Sequence, residues 1–419
     1  MTSSSKGYQA VDSYWYDNVP SHWKKTKNKY IFKQDKHVVG KDWEKFTLLT
    51  LGKSGVKPRD LESGGKFPES FETYQTIEPN QLIFCLFDLD ETPRTIGMSK
   101  NYGMITSAYD VFSTTEDNDP QFWTYFYQMI DDHKGLRPFY TGLRKVVRSN
   151  TFMGIEVFSP PLEEQKLISR YLDSKNEKLD SLIEKIQKKI SLLKEKRTSL
   201  INEFVTKGLK PNQDMKDTRI TWIGKIPKIW KTTKLKYIFS EKKSYYNPDL
   251  NPGSISYGRV VYKDDEKILT STKESYQEVL DGEFLINPLN LNYDLKSLRI
   301  AKSRINVVVS QGYIVLTIKE GFIPDYYEYL LRIFDVVYMK SLGHGVRQTI
   351  SFTHLKDQII IIPPIQEQQK IVKFLDEQTK LIDKICSIEE KRLELLKEYR
   401  KSLVSHAVSG KVRVSEDMI

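Results

Sequence analysis

Two cysteines, Cys85 and Cys386, are all that 419 residues contain. That scarcity excludes a disulfide framework and a four-thiolate zinc site, and it suits a reducing cytoplasm. The six histidines (22, 37, 133, 344, 354 and 406) show no metal-ligand spacing, so no metal is expected in this chain. Long apolar runs are missing too. No window approaches 18 uninterrupted apolar residues, and the longest run, Ile359 to Pro364, has the length of a buried strand. The opening MTSSSKGYQAVDSYWYD lacks the apolar core of a secretory signal.

Catalytic fingerprints are equally scarce. Gly52-Lys53-Ser54 ends like a phosphate-binding loop, but Thr47 stands where the leading glycine belongs. Ser159-Pro160-Pro161-Leu162 is a near miss for an amino-methyltransferase motif, because Leu162 cannot stack on a flipped base. Its twin, Ile362-Pro363-Pro364-Ile365, lacks the polar first residue. Pro324-Asp325 has no acid-x-Lys following on a strand; Tyr327, Glu328 and Tyr329 read as helix. No glycine-rich S-adenosylmethionine loop is present. The expectation is a chain without catalysis or a cofactor of its own.

What the chain does have is positive charge and a repeat. It carries 65 Lys and Arg against 55 acids, a net charge of +10. That excess favours a polyanion, nucleic acid ahead of membrane, because phosphates reward each cation with counterion release. A hydrophobic share of 39% is enough for real cores, and the length suggests two or three domains.

The repeat is large. PPLEEQKLISRYLD at 160–173 returns as PPIQEQQKIVKFLD at 363–376. Solenoid periods run ~20–50 residues, so this spacing is that of a whole domain plus a linker. The likeness continues: Asp180 matches Asp383, LLKE at 192–195 matches 395–398, and Arg197 matches Arg400. Apolar residues at Ile168, Leu172, Leu179, Leu182, Ile186, Ile190, Leu193, Leu200 and Phe204 step by 3, 4 or 7, a coiled-coil seam. Each helix starts after a Pro-Pro, with Glu163, Glu164 or Glu367 in the first turn, and stops at Gly208 or Gly410. A helix of that length cannot bury its stripe alone, so the two are expected to pair, antiparallel, within one chain. VPSHWKKTKNKYIF at 19–32 matches IPKIWKTTKLKYIF at 226–239, and GLRKVVRSNTFMGIEVFSPP at 142–161 matches GVRQTISFTHLKDQIIIIPP at 345–364. Between those ends the sequences diverge.

The predicted plan is a tail (1–10), an α/β or α+β domain (11–160), a long helix (161–208), a linker (209–216), a second α/β domain (217–362), a second long helix (363–410) and a tail (411–419). QFWTYFYQMIDDHK and IPDYYEYLLRIFDVVYMKSL each predict one helix inside a domain.

Three groups of residues are candidates for touching nucleic acid. Lys24, Lys25, Lys27 and Lys29 sit beside Trp23 and Tyr30, echoed by Lys231, Lys234 and Lys236 beside Trp230 and Tyr237. Such spacing can follow a phosphate backbone, and equally suits a solvated strand. Arg144 with Lys145, and Arg347 with Gln348, follow a glycine turn that can present an arginine fork, or simply make a tight turn. The divergent middles hold Arg94, Lys100 and Tyr102, then Lys242, Lys243, Tyr245, Tyr246, Arg259, Arg299, Lys302 and Arg304. Singly, each is better explained as a surface charge than as a base reader.

On the doubled Pro-Pro-x-x-Glu-Gln, the Gly-x-Arg upstream of each copy and the Pro-x-x-Trp-Lys entry to each domain, residues 11–413 resemble the specificity subunits of type I restriction–modification systems. The resemblance implies two target recognition domains, each reading one half of a split DNA site, and a helix pair acting as a ruler. It implies no catalysis in this subunit. Two methylation subunits, carrying S-adenosylmethionine for adenine methylation, would dock on the helices. Two restriction subunits would bring ATP and Mg. Docking is expected at Glu164, Gln165, Ile183, Leu192, Glu367, Gln368 and Leu395. A free-standing DNA-binding regulator and a coiled-coil scaffold are the alternatives.

Overall fold

Prolines fix where the long helices begin. Pro160-Pro161 and Pro363-Pro364 cannot extend a helix backwards, and the first helix runs Leu162–Lys207, the second Ile365–Val408. Glycines fix where they end. Gly208 and Gly410 have φ of 75° and 72°, a left-handed conformation costly for other residues. A side chain is excluded there twice over. A Cβ on Gly410 would stand 2.5 Å from Pro20, and one on Gly208 would stand 3.2 Å from the Trp230 ring. The computed structural model describes every residue except 1–6, 53–54, 60–68, 248, 265–267, 269, 290–297 and 343–348. No helix among the described residues is long and apolar enough to cross a membrane.

The chain divides into two compact units, Met1–Gln187 with Glu390–Ile419, and Lys188–Glu389. In the first unit an antiparallel sheet has the order Phe32–Asp35, Asp110–Thr114, Leu82–Phe84, Ile96–Met98. The helix Pro120–Asp132 covers it, capped by the Asp119 side chain on the Phe122 amide. Between them lies an aromatic core of Phe32, Phe84, Phe112, Trp123, Tyr127 and Phe152. Paired strands flank the sheet: Lys24–Lys27 with Glu156–Ser159, Gln75–Ile77 with Gly103–Ile105, and Leu49–Gly52 with Gly55–Pro58.

The second unit repeats this strand for strand. Its sheet has the order Phe239–Glu241, Ile314–Ile318, Phe284–Ile286, Ile300–Lys302, covered by the helix Pro324–Val337. Lys231–Lys234 pairs with Ile359–Ile362, Gln277–Val279 with Val307–Val309, and Gly253–Ser256 with Arg259–Tyr262. The middles that share little sequence therefore share their topology. Apolar character is kept and identity is not: where the first core has Phe112 and Phe84, the second has Leu316 and Ile286.

Each core draws on both long helices. The first unit buries Ile168, Tyr171 and Leu172 from the start of the first helix, and Val404, Ala407 and Val408 from the end of the second. The second unit buries Ile201 and Val205 from the end of the first helix, with Ile371 and Leu375 from the start of the second. The helices run antiparallel in each unit. Asp180 pairs with Arg400 in the first; Lys189 pairs with Glu389 at 2.6 Å and Arg197 with Asp383 at 2.9 Å in the second. The expected seam is buried at Ile168, Leu172, Leu179, Ile186 and Ile190. Further on it departs from the prediction. Ile201 and Val205 are buried, whereas Leu200 and Phe204 are only half-buried, because the last turns enter the second domain's core together with the start of the partner helix, where Phe204 meets Phe374 edge to face at 4.7 Å. Residues 411–419, expected as a tail, are built in: Val414 joins the first core and Glu416 pairs with Arg170 at 2.8 Å.

A buried acid ties helix to sheet in both units. Asp131 accepts from the Thr95 amide (3.1 Å), the Thr95 hydroxyl (2.8 Å), Arg94 (3.2 Å) and Lys134 (3.3 Å). At the matching turn, Asp335 accepts from the Arg299 and Ile300 amides. Removing the acid leaves the buried Thr95 donors unsatisfied, at a cost of about 3 kcal/mol, while Arg94 keeps Asp132 and Lys134 keeps the Thr92 carbonyl. Asp131→Ala is thus expected to lower the unfolding free energy of the first unit by that amount in urea titration. Full stability in the variant would mean that the network is ornamental.

Candidate nucleic-acid interface

The doubled Glu-Gln has a defined place, at the joint between domain and helix. Gln165 is buried; its Oε1 accepts from the Asp119 amide (2.9 Å) and its Nε2 donates to Pro160 O (2.9 Å). Gln368 does the same with Ile323 (3.2 Å) and Pro363 (2.8 Å). Glu164 accepts from the Trp23 indole (3.2 Å), Glu367 from the Trp230 indole (2.9 Å). Tyr125 and Tyr329 donate to Asp173 (2.6 Å) and Asp376 (2.7 Å), about two turns further along. Burial, with the hydrogen bond given to the carboxylate, pushes the Tyr125 phenol up to about 12. So four of the residues expected to dock a partner lock the joint, and both glutamines are withdrawn from the surface. Leu192 and Leu395, at matching positions on the two helices, are 54% and 55% exposed. Ile183 is half-buried.

The candidate cations separate into two sets. One set is already paired. Lys25 and Lys27 face Glu156 (2.8 and 3.7 Å), Arg94 faces Asp131 and Asp132, Arg144 forks onto Asp88 (3.2 and 2.6 Å), and Lys145 faces Asp90 (3.0 Å). Lys242 lies between Glu278 (3.0 Å) and Glu283 (2.9 Å), Lys302 is buried against Asp325, and Arg304 faces Glu328 (2.9 Å). Arg299 is half-buried beneath Asp335. The other set is exposed: Lys24, Lys100, Lys231, Lys243 and Arg259, with Tyr102 and Tyr245 at 56% and 64% exposure. Arg347 and Gln348 lie outside the described residues, as do Lys53 and Ser54. Among the described residues no group of three or more His, Cys, Asp or Glu could hold a metal ion, and Asp325 sits at a helix start holding Lys302 and Arg304.

Lys234 and Lys236 both reach Asp357, at 3.1 and 2.8 Å, and hydrogen bonds from Lys236 and then Lys234 draw its carboxyl down to about 2. Its folded value lies below the unfolded one, near 3.8. The pairing therefore contributes above about pH 4 and is lost as pH falls through 2. All three groups are solvent-facing, so Asp357→Asn is expected to leave the neutral-pH Tm nearly unchanged and to free both lysines. A drop of several degrees at pH 7 would contradict this.

Two exposed features escaped the sequence reading. Leu143 is fully exposed at the tip of the Gly142 turn. Tyr257, 96% exposed with φ of 48°, heads the hairpin between Gly253–Ser256 and Arg259–Tyr262. The Tyr-Gly pair between two alternating runs was a legible signal, since two-residue hairpin turns need positive φ.

This build, a duplicated α+β domain with paired long helices, defines a fold class with solved members. A chain from work on complex assembly and conformational transition of the type I R-M system matches over 94% of this chain and 99% of that one, with a TM-score of 0.67 and 13% identity. The HsdS subunit from Thermoanaerobacter tengcongensis matches over 95% and 99%, with a TM-score of 0.52 and 14% identity. Residues 212–398 match the type I restriction modification DNA specificity domain. A Methanocaldococcus jannaschii protein, provisionally named the type I restriction enzyme MjaX specificity subunit, is 26% identical over 267 residues, 61% of this chain and 59% of that protein. The chain spans about three fifths of the length of the curated relatives it matches. In sequence over part of its length, and in fold over nearly all of it, the chain is similar to the specificity subunits of type I restriction–modification systems.

Proposed function

We propose that this chain is the non-catalytic DNA-specificity subunit of a type I restriction–modification complex in the cytoplasm. Each domain reads one half of a bipartite DNA site, and the helix pair sets the spacer. The observation that carries the reading is a complete structural repeat whose joints match residue for residue while the middles differ. Matching joints suit two like partners; differing middles suit two unlike half-sites. Two methylation subunits would dock on the helices around Leu192 and Leu395, bringing S-adenosylmethionine for adenine methylation. Restriction subunits with ATP and Mg would join through them. The exposed Lys24, Lys100, Lys231, Lys243 and Arg259 would follow phosphates, with Tyr102 and Tyr245 against bases or sugars.

The test is co-purification with a methylation subunit encoded beside this chain, followed by genome-wide mapping of adenine methylation. One split motif methylated once on each strand is the expected result. Tight sequence-specific binding by the chain alone, with no partner and no methylation, would make it a free-standing regulator instead.

A further inference from the structure

Within the second unit, a cavity of about 770 Å³ opens between the first long helix, the Tyr257 hairpin and the helix Pro324–Val337. Its charged lining does not cancel. Each of its four acids is engaged: Asp325 by Lys302, Glu328 by Arg304, Asp376 by the Tyr329 hydroxyl and Asp383 by Arg197. Two guanidiniums in the lining have no hydrogen bond or ion pair among the described residues, Arg332 and Arg259. Arg332 is half-buried, and burial, then the like charge of Arg197, lower its pKa against the opposing charges of Glu328 and Asp383, each of which is already engaged by another arginine. A desolvated guanidinium held beside another is costly unless something anionic completes the group.

The first unit supplies a comparison. Its equivalent helix starts at Pro120 as this one starts at Pro324, and the eighth residue after each is Gln128 in the first and Arg332 in the second. Lys302 likewise answers to Met98 on the matching strand. The fold therefore does not need these cations; the second unit alone has them.

We infer that Arg332, with Arg259 on the hairpin, forms a clamp for one DNA backbone phosphate, fixing the duplex on the second domain without reading its sequence. Guanidinium forks match phosphate oxygens, and such contacts set register while carrying no base information. The exposed Tyr257 at the rim would lie against the adjoining sugar. This assignment rests on the DNA-reading function proposed above.

The experiment titrates the chain co-purified with its methylation subunit, wild type and Arg332→Gln, with a random-sequence duplex and with a duplex carrying the mapped motif, over a range of salt. Arg332→Gln installs the residue that the first unit already tolerates. Arg259→Gln, on an exposed hairpin, is the companion that leaves the core untouched. Each variant is expected to bind both duplexes roughly tenfold more weakly, with the log K against log salt slope smaller by about one and the preference for the motif unchanged. Arg332→Lys should recover most of the slope. An unchanged slope in both glutamine variants, with wild-type motif binding intact, would overturn the clamp and leave the specificity function standing. A changed base preference would also overturn it, because the contact would then be reading sequence. Failure of the wild type to bind either duplex at low salt would overturn both.

Discussion

A chain ending at Lys401 is expected to lose the fold of its first domain, whose sequence lies at the other end. The truncation removes Val404, Ala407, Val408 and Val414 from the core that holds Trp23, Phe122 and Trp123. It also removes the carbonyl of Gly410 that accepts from the Tyr8 hydroxyl at 2.7 Å. Burying a valine contributes about 1.5 to 3 kcal/mol, so the three valines together approach the ~5–15 kcal/mol that holds a whole domain. Hydrogen exchange reads the outcome directly. Amides of the sheet Phe32–Asp35, Asp110–Thr114 and Leu82–Phe84 should lose protection, while those of Ile314–Ile318 and Phe284–Ile286 keep it. If protection survives in the first sheet, the closing of that core by the C-terminal segment is not energetically real.

That dependence was only half legible in the sequence. Local signals were: prolines opening helices, glycines closing them, and an apolar step of 3, 4 or 7 between. These act through backbone φ and a single helix face, which neighbouring residues fix. Whether a stripe faces a partner helix or a domain core depends on what arrives from 200 residues away, so Ile201 and Val205 were missed in favour of Leu200 and Phe204. The middles were opaque for a related reason. Their strands are three to five residues long, too short for alternation to show, and their cores share apolar character and not identity, Phe84 against Ile286. Gln165 and Gln368 looked like surface because polar residues in a helical first turn usually are. Their burial follows from backbone amides at Asp119 and Ile323 that need acceptors. Most candidate cations were rightly seen as charged, yet only geometry separates Arg144, already forked onto Asp88, from Arg259, which faces solvent.

If the helix pair is the ruler, seven residues added to both helices, after Gln187 and after Glu389, should move methylation to a motif with the same half-sites and a longer spacer. Seven is the informative number. It returns each apolar stripe to within ~20° of its face, whereas four residues in one helix would slide Lys189 past Glu389 and Arg197 past Asp383. At 1.5 Å per residue the insertion adds about 10 Å, or roughly three base pairs at 3.4 Å each. The original motif should go unmethylated in cells carrying the variant, because both half-sites must be held at once. The bases recognised should not change, since the strands and hairpins of each domain are untouched. Methylation at the old spacing with altered bases would be the opposite result. It would move sequence reading into the helices and leave the domains as mere supports.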